Sequence, residues 1–236
     1  MTIIEMLLAT TIMLAVIGAI FGVVHPAQST FHAQPEISDV HQRLRVAIDS
    51  LSRDLLLAGS GLSTEDRPAV MPYRAGDAGS DPAAGVFYRT DTITAVYVPW
   101  GDVEAASHTY YLRSDPASGT PQLMQYDGKI TDAPLVDHVV RLEFDYFDAD
   151  AVRLDPAVLQ DDPRTPGDPD LEPFDADLLR IRRVRVRVRV EAGLDSMRGP
   201  AGRLFARAGT STAVERSVPD RELHFDVAIR NLNRDR

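Results

Sequence analysis

Residues 1–24 read MTIIEMLLATTIMLAVIGAIFGVV, and the composition of this stretch sets the class of the protein. From Met6 to Val24 it holds nineteen consecutive residues without a charge, close to the roughly 20 that an α-helix needs to cross a bilayer core. The basic segment and the small-residue cleavage site of an ordinary signal peptide are both missing around Met1 and Val24. We therefore expect residues 1–24 to be a retained hydrophobic helix that can sit in a membrane.

Glu5 is the one charged residue in this stretch. An uncompensated carboxylate in hydrocarbon costs several kcal/mol, so its position needs an explanation. Two interpretations are open. Either Glu5 lies in the headgroup zone of a simple signal anchor, or it has a partner or a function that compensates its charge.

A second helical pattern covers residues 25–58. Its apolar residues recur at the three- and four-residue spacing of one helix face: Ile37, Val40, Leu44, Ala47, Ile48, Leu51, Leu55 and Ala58. The segment Gly59–Gly61 supplies a stop signal. A continuous helix over residues 1–58 would be on the order of 85 Å long, so half of it must project and be covered by lipid or by neighbouring copies.

Four positions allow this helix to kink or melt. Glycine weakens a helix, and proline removes a backbone donor and clashes with the preceding turn. The candidate positions are Gly18, Gly22, Pro26 and Pro35.

Composition excludes several classes of protein. The chain has 236 residues, no cysteine and a formal net charge of -10, so disulfides and thiolate metal sites are excluded and nucleic acid is not an expected partner. The six histidines show no zinc-site spacing, and no nucleophile elbow or phosphate-binding glycine loop is present. We expect no enzymatic activity and no cofactor.

The rest of the chain alternates like β-strands. Residues 92–98 alternate well, and residues 109–113 and 122–126 flank a Ser-Asp-Pro turn and predict a hairpin. Because no long helical pattern separates these strands, we expect an antiparallel sheet. Trp100, between Pro99 and Gly101, is expected to pack at a strand end.

Three later segments predict one charged sheet face. Residues 140–146 and 222–227 place carboxylates on one side, and residues 183–190 read RVRVRVRV. We expect the arginine strand to lie between or beside the acidic strands and to pair with them across the ladder. The residues of this face are Glu143, Asp145, Arg183, Arg185, Arg187, Arg189, Glu222 and Asp226. The alternative is that the arginines bind an acidic polymer, DNA or another subunit.

The segment 148–177 is acidic and rich in proline. Clustered carboxylates suit calcium, with Asp161, Asp162, Asp168 and Asp170 as the candidate ligands, but the EF-hand spacing is missing. A solvated acidic loop without metal is the preferred interpretation.

The first nine residues resemble the mature amino terminus of type IV pilins and type II secretion pseudopilins. Met1 stands where the family usually has Phe, and Gly22 where it often has a helix-breaking proline. The positions that match the family pattern are Thr2, Ile3, Ile4, Glu5 and Leu7.

The resemblance carries functional expectations. It implies a leader removed by a prepilin peptidase, methylation of the new terminus at Met1, and pairing of Glu5 with the terminal amino group of a neighbouring subunit, beside Thr2. Met1 is either that processed residue or an initiator added in numbering. Some members of the family carry a calcium site.

Looser motifs in the head resemble PilW-type minor pilins and the J-type minor pseudopilin. They lie at residues 109–112, 134–144 and 223–231. For this subfamily the resemblance implies a place near the filament tip.

We therefore expect an α+β protein with a long N-terminal helix over residues 1–58, hydrophobic over 1–24 and amphipathic over 25–58. An antiparallel, β-rich globular head over 59–236 follows. The first hypothesis for its function is a structural subunit of a type IV pilus-like filament. It would polymerise with itself or other pilins, assembled by an inner-membrane platform and exposed at the cell surface or in a periplasmic pseudopilus.

Two other functions stay open. One is a minor tip or priming subunit whose head serves adhesion, DNA uptake or secretion, and the other is a bitopic membrane protein that never polymerises.

Overall fold

The computed structural model describes residues 2–62, 68–74, 88–155, 159, 176–198 and 218–232. The chain forms two compact units, one of Met1–Val40 with Ala192–Asp220 and one of His41–Glu191 with Arg221–Arg236. The division predicted between residues 58 and 59 stays a prediction.

A single helix, α1, spans Ile3–Leu57. It continues through all four positions at which the sequence allows a kink, namely Gly18, Gly22, Pro26 and Pro35. Each proline deletes only one backbone donor.

The end of α1 is capped from a distant part of the chain. Gly59 and Gly61 follow the helix with φ angles of 81° and 72°, the left-handed region that glycine adopts at low cost. The Asn231 side-chain amide donates to the carbonyl oxygens of Leu56 and Ala58 at 3.1 and 3.2 Å. These are carbonyls that the helix itself leaves without a donor.

The first unit joins α1 to a short segment near residue 193. Glu36 is buried, and its carboxylate accepts hydrogen bonds from the backbone N–H of Gly193 and, at 3.2 Å, from that of Leu194. A short 3₁₀ helix, Asp195–Met197, follows, and Val218 N–H donates to the Met197 carbonyl at 2.8 Å. A buried carboxylate is tolerated here because backbone donors satisfy it.

The described residues of the second unit form two antiparallel sheets. Sheet 1 has five strands in chain order: β1 Val70–Met71, β2 Ile93–Tyr97, β3 Ala106–Ser114, β4 Pro121–Tyr126 and β5 Asp132–Asp137. The predicted hairpin is confirmed as β3 and β4, with Tyr111 opposite Met124.

Sheet 2 has four strands: β6 Val139–Phe147, β7 Arg153–Leu154, β8 Arg183–Val190 and β9 Arg221–Ala228. Their order is β7-β6-β8-β9, so the arginine strand β8 lies between the two acidic strands. Short 3₁₀ helices at Ala176–Arg180 and Arg230–Leu232 complete the described elements.

The core of the second unit is built from the inward-facing residues of these elements. The four valines of β8 are fully buried, as are Leu51 and Leu55 of α1. Alternation in the strands and the three-four stripe in the helix therefore each deliver one apolar face to a common interior. The predicted α+β class, a long N-terminal helix followed by antiparallel sheets, is confirmed.

Candidate assembly site

The start of α1 holds Glu5 in a reciprocal pair with Thr2. The Thr2 N–H donates to Glu5 Oε2 at 2.8 Å, and the Glu5 N–H donates to Thr2 Oγ1 at 3.4 Å. This is a capping box, in which a Thr and a Glu three residues later satisfy two free donors of the first helical turn. The Thr-x-x-Glu spacing of residues 2–5 is a sequence signal for this cap, and it gives Glu5 a partner within its own helix. Met1 lies outside the described residues.

The segment after Glu5 presents apolar side chains to the outside. Ile3–Gly22 is long and apolar enough to cross a membrane, with a mean hydropathy of 2.3. Leu14 is 70% exposed and Phe21 66%. The two threonines of the segment bond within the helix, since both hydroxyls of Thr10 and Thr11 donate to the Leu7 carbonyl at 3.0 and 2.8 Å. The hydroxyls of Thr10 and Thr11 therefore have hydrogen-bond acceptors within the helix and do not need water.

The outward side of sheet 2, here called the charged face, brings together all eight residues that the sequence singled out for it. Glu143 lies opposite Arg187, and the two side chains are hydrogen-bonded. Arg185 binds Asp226 through two bonds, at 2.8 and 3.1 Å. On the same face Arg189 lies 2.6 Å from Glu222, Arg183 lies 3.9 Å from Asp226 and Arg187 lies 3.9 Å from Asp145.

These pairs shift the titration of the carboxylates on the charged face. The hydrogen bonds from Arg185 lower the pKa of Asp226. Burial raises the pKa of Glu222, but hydrogen bonds from His224 and Arg189 outweigh it, so the pKa is lowered. Both acids therefore stay ionised to lower pH than free carboxylates.

Two further arginines belong to the charged face. Arg141 lies 2.6 Å from Glu143, and Arg153 lies 2.7 Å from Asp145. Among the described residues the face thus carries six arginines, at 141, 153, 183, 185, 187 and 189, against four carboxylates, at 143, 145, 222 and 226, a formal excess of 6 − 4 = 2 positive charges. Ion pairs neutralise most of the arginine charge on this face. The face keeps a net positive charge although the chain as a whole is acidic.

A buried polar network ties α1 to sheet 1 inside the second unit. Asp54 accepts a hydrogen bond from Tyr110 Oη at 2.6 Å and lies 2.6 Å from His108 Nδ1. Gln125 Nε2 donates to Tyr110 Oη at 3.0 Å. The hydrogen bond to Asp54 raises the pKa of His108, although burial opposes it. Burial, followed by the nearby charge of Asp54, also raises the pKa of Tyr110.

Sequence reasoning missed this network. His108 was treated as one of six scattered histidines, and Asp54 was not singled out. The available signal was its position: Asp54 falls on the apolar stripe of α1, three residues after Leu51 and next to Leu55. A carboxylate on a buried stripe requires a polar partner across the interface.

A second polar cluster lies around Asp132 at the start of β5. Tyr111 Oη donates to Asp132 at 2.6 Å, and Arg113 NH1 lies 3.1 Å from the same carboxylate. The guanidinium of Arg74 stacks over the Tyr126 ring at 4.0 Å. Burial and the bond to Asp132 raise the pKa of Tyr111 to about 12.

The prediction for Trp100 is wrong. Its side chain is fully exposed instead of packed, because it sits at the corner of a turn that continues beyond the end of β2. The proline and glycine beside it, taken as marks of a strand end, form that turn.

The proposed calcium ligands Asp161, Asp162, Asp168 and Asp170 lie outside the described residues. Within the described part of the chain, no group of three or more His, Asp or Glu side chains is arranged to hold a metal ion.

No family model matches the sequence, and no curated protein matches it. The chain is similar in structure to a type IV-like pilin from Thermus thermophilus, with 13% sequence identity and a TM-score of 0.40, over 82% of this chain and 98% of that one.

Proposed function

We propose that this chain is a structural subunit of a type IV pilus-like filament and polymerises through the first half of α1. One observation carries the proposal: a single helix exposes an apolar surface over Ile3–Gly22, in which Glu5 is the one charged residue, and buries its apolar stripe over residues 44–58. A surface of this kind is not stable in water, because each exposed Å² of apolar area costs about 25 cal/mol. Lipid covers it before assembly, and the helices of other subunits cover it afterwards.

Glu5 supplies the specificity of assembly in this proposal. Within the described part of the single chain, its carboxylate accepts a hydrogen bond from the Thr2 N–H, a neutral donor. The terminal amino group of a neighbouring subunit, at Met1, offers a full positive charge. A carboxylate in a low-dielectric environment is costly unless an opposite charge compensates it, so the neighbour's amine displaces or supplements the capping box.

The proposal includes the machinery that the resemblance implies. A prepilin peptidase exposes the amino group of Met1, which is then methylated, and an inner-membrane platform extracts the subunit from the bilayer. The filament is a surface pilus or a periplasmic pseudopilus.

Three variants separate the charge of Glu5 from its role in capping. Glu5→Gln removes the charge but keeps a side chain that can close a capping box, and Glu5→Ala removes both. Thr2→Ala opens the capping box and keeps the charge. We expect both Glu5 variants to insert in the membrane and to assemble poorly, while Thr2→Ala assembles close to the wild-type level.

The measurement is the yield of sheared filaments by electron microscopy, normalised to membrane-inserted subunit. Normal filament yield from Glu5→Gln would remove the charge pair from the proposal and leave capping as the role of Glu5. An unprocessed, unmethylated terminus by mass spectrometry, together with absent filaments for the wild type, would favour the bitopic membrane protein.

A second candidate function is a tip subunit with a binding head. The observation that favours it is the pair of exposed apolar loops around Trp100 and Ile130. Immunogold labelling distinguishes the two: continuous labelling along filaments identifies a main subunit, and labelling confined to filament ends identifies a tip subunit.

A further inference from the structure

Two loops of sheet 1, here called the loop pair, lie side by side. They are residues 98–105, between β2 and β3, and residues 127–131, between β4 and β5. In an antiparallel sheet whose strands follow chain order, these two connections fall at the same end. Lys129 Nζ lies 3.7 Å from Glu104 Oε2 and links them.

The loop pair exposes three apolar side chains completely. Trp100, Val103 and Ile130 have relative exposures of 105%, 96% and 92%. A single exposed aliphatic residue is ordinary on a protein surface, but three on two adjacent loops, one of them tryptophan, mark an interaction surface.

Both loops are held in shape by their own hydrogen bonds. The Asp102 N–H donates to the Pro99 carbonyl at 3.1 Å, and Gly101 has a φ of 91°, so Trp100 occupies the corner of a closed β-turn. Asp127 Oδ1 accepts from the backbone N–H groups of residues 129, 130 and 131, each at 2.9 Å. The backbone of these two turns therefore has little conformational entropy left to lose on binding.

The loop pair lies at the end of the second unit where α1 stops. Gly59 N–H donates to the Val96 carbonyl, and Val98 N–H donates to the Ser60 carbonyl, both at 2.8 Å. The loops therefore adjoin the last turn of α1 and not the point near His41 where the helix enters this unit.

The formal charge of the loop pair indicates which kind of surface it binds. The loop pair carries Asp102, Glu104 and Asp127 against Lys129, a formal charge of 1 − 3 = −2. Phosphate-bearing surfaces such as nucleic acid or anionic lipid are disfavoured by this sign. The complementary surface on the same molecule is the charged face of sheet 2, with its excess of two positive charges.

We propose that the loop pair of one copy binds the charged face of a second copy of this chain. The inference rests on the proposed filament function and names a contact between heads. The indole of Trp100 stacks on an exposed guanidinium such as that of Arg185, and the acids of the loops approach the unneutralised positive charge. When one loop pair meets one charged face, each copy keeps the other surface available for a further copy, so the contact can repeat along the proposed filament.

The absence of cysteine in this chain makes the contact testable by cross-linking. Three alanines serve as matched positions: Ala105 in the loop pair, Ala228 at the edge of the charged face beside Arg183, and Ala117 in the turn at the other end of sheet 1. Full-length A105C and A228C chains are mixed in lipid vesicles and treated with a short bismaleimide. We expect a mixed dimer in several-fold higher yield than from A117C with A228C.

Adding Trp100→Ala to the A105C chain should return the yield to that of the control pair, and raising the salt concentration should lower it. Equal yields from the test and control pairs, or an unchanged yield with Trp100→Ala, would overturn the proposal.

Trp100 is the only tryptophan of the chain, so its fluorescence reports on this site alone. We expect exposed, red emission at low protein-to-lipid ratio and a blue shift as the ratio rises. Quenching by brominated lipids would instead assign the loops to the bilayer and overturn the proposal. If filaments assemble but the A105C–A228C cross-link does not form, only this contact is refuted. If the cross-link forms but no filaments assemble, the proposed function is refuted and the contact is retained.

Discussion

The two halves of α1 belong to one helix and have opposite surroundings. Over Ile3–Gly22 every described side chain is exposed, although almost all are apolar. Over residues 41–57 the apolar stripe is buried together with Asp54, and the other polar side chains are exposed or half-buried. The difference teaches that the apolar residues of the second half stabilise the fold of one chain, while those of the first half are available for lipid or other copies.

The largest expected effect tests this contrast with two identical substitutions. Leu51 is fully buried, so Leu51→Ala should lower the free energy of unfolding by about 3 kcal/mol through lost burial and a cavity. Leu14 is exposed, so Leu14→Ala should leave the stability of the head unchanged and reduce filament yield instead. Chemical denaturation of the chain in detergent measures the free energy of unfolding, and electron microscopy measures the filament yield. An equal loss of stability from the two substitutions would contradict the contrast between the two halves of α1.

A smaller effect is expected from the polar residue on the buried stripe. Asp54→Ala leaves the buried Tyr110 hydroxyl and the half-buried His108 ring without their carboxylate partner and should cost about 2 kcal/mol in the free energy of unfolding. The matched control is Asp49→Ala on the exposed side of the same helix, expected within about 0.5 kcal/mol of wild type. If the two substitutions have the same effect, the network does not hold α1 to sheet 1.

The smallest effect is a pH dependence. The pKa of His108 is raised above its ordinary value of 6.5 by its hydrogen bond to Asp54. A group with a raised pKa in the folded state binds its proton more tightly there than when unfolded, so its stabilisation is complete below pH 6.5 and is lost as the pH rises through the raised pKa.

The stability of the wild type should therefore fall over that interval, and His108→Gln should flatten the curve. A curve that rises over the same interval, or one that the substitution leaves unchanged, would contradict this assignment. Unfolding midpoints measured at a series of pH values, in constant salt, provide the comparison.

Particular residues show which features of the fold could be predicted from the sequence. The RVRVRVRV stretch carries a period of two, so the burial of its valines and the outward direction of its arginines follow from local geometry. The hairpin of β3 and β4 follows from its turn. Trp100 was misjudged because proline and glycine indicate a turn equally well at a packed strand end and at a projecting loop corner.

The sequence alone determined the elements and their faces: the helix with its apolar first half, the alternating strands, and the residues of the charged face. These are set by spacing, and spacing is a local property of the chain. Only the tertiary structure decided that Asp54 meets His108 and Tyr110, that Asn231 caps the end of α1, and that the loops around Trp100 and Ile130 stand together. Such contacts join residues tens to hundreds of positions apart, and no local pattern encodes which of them become neighbours.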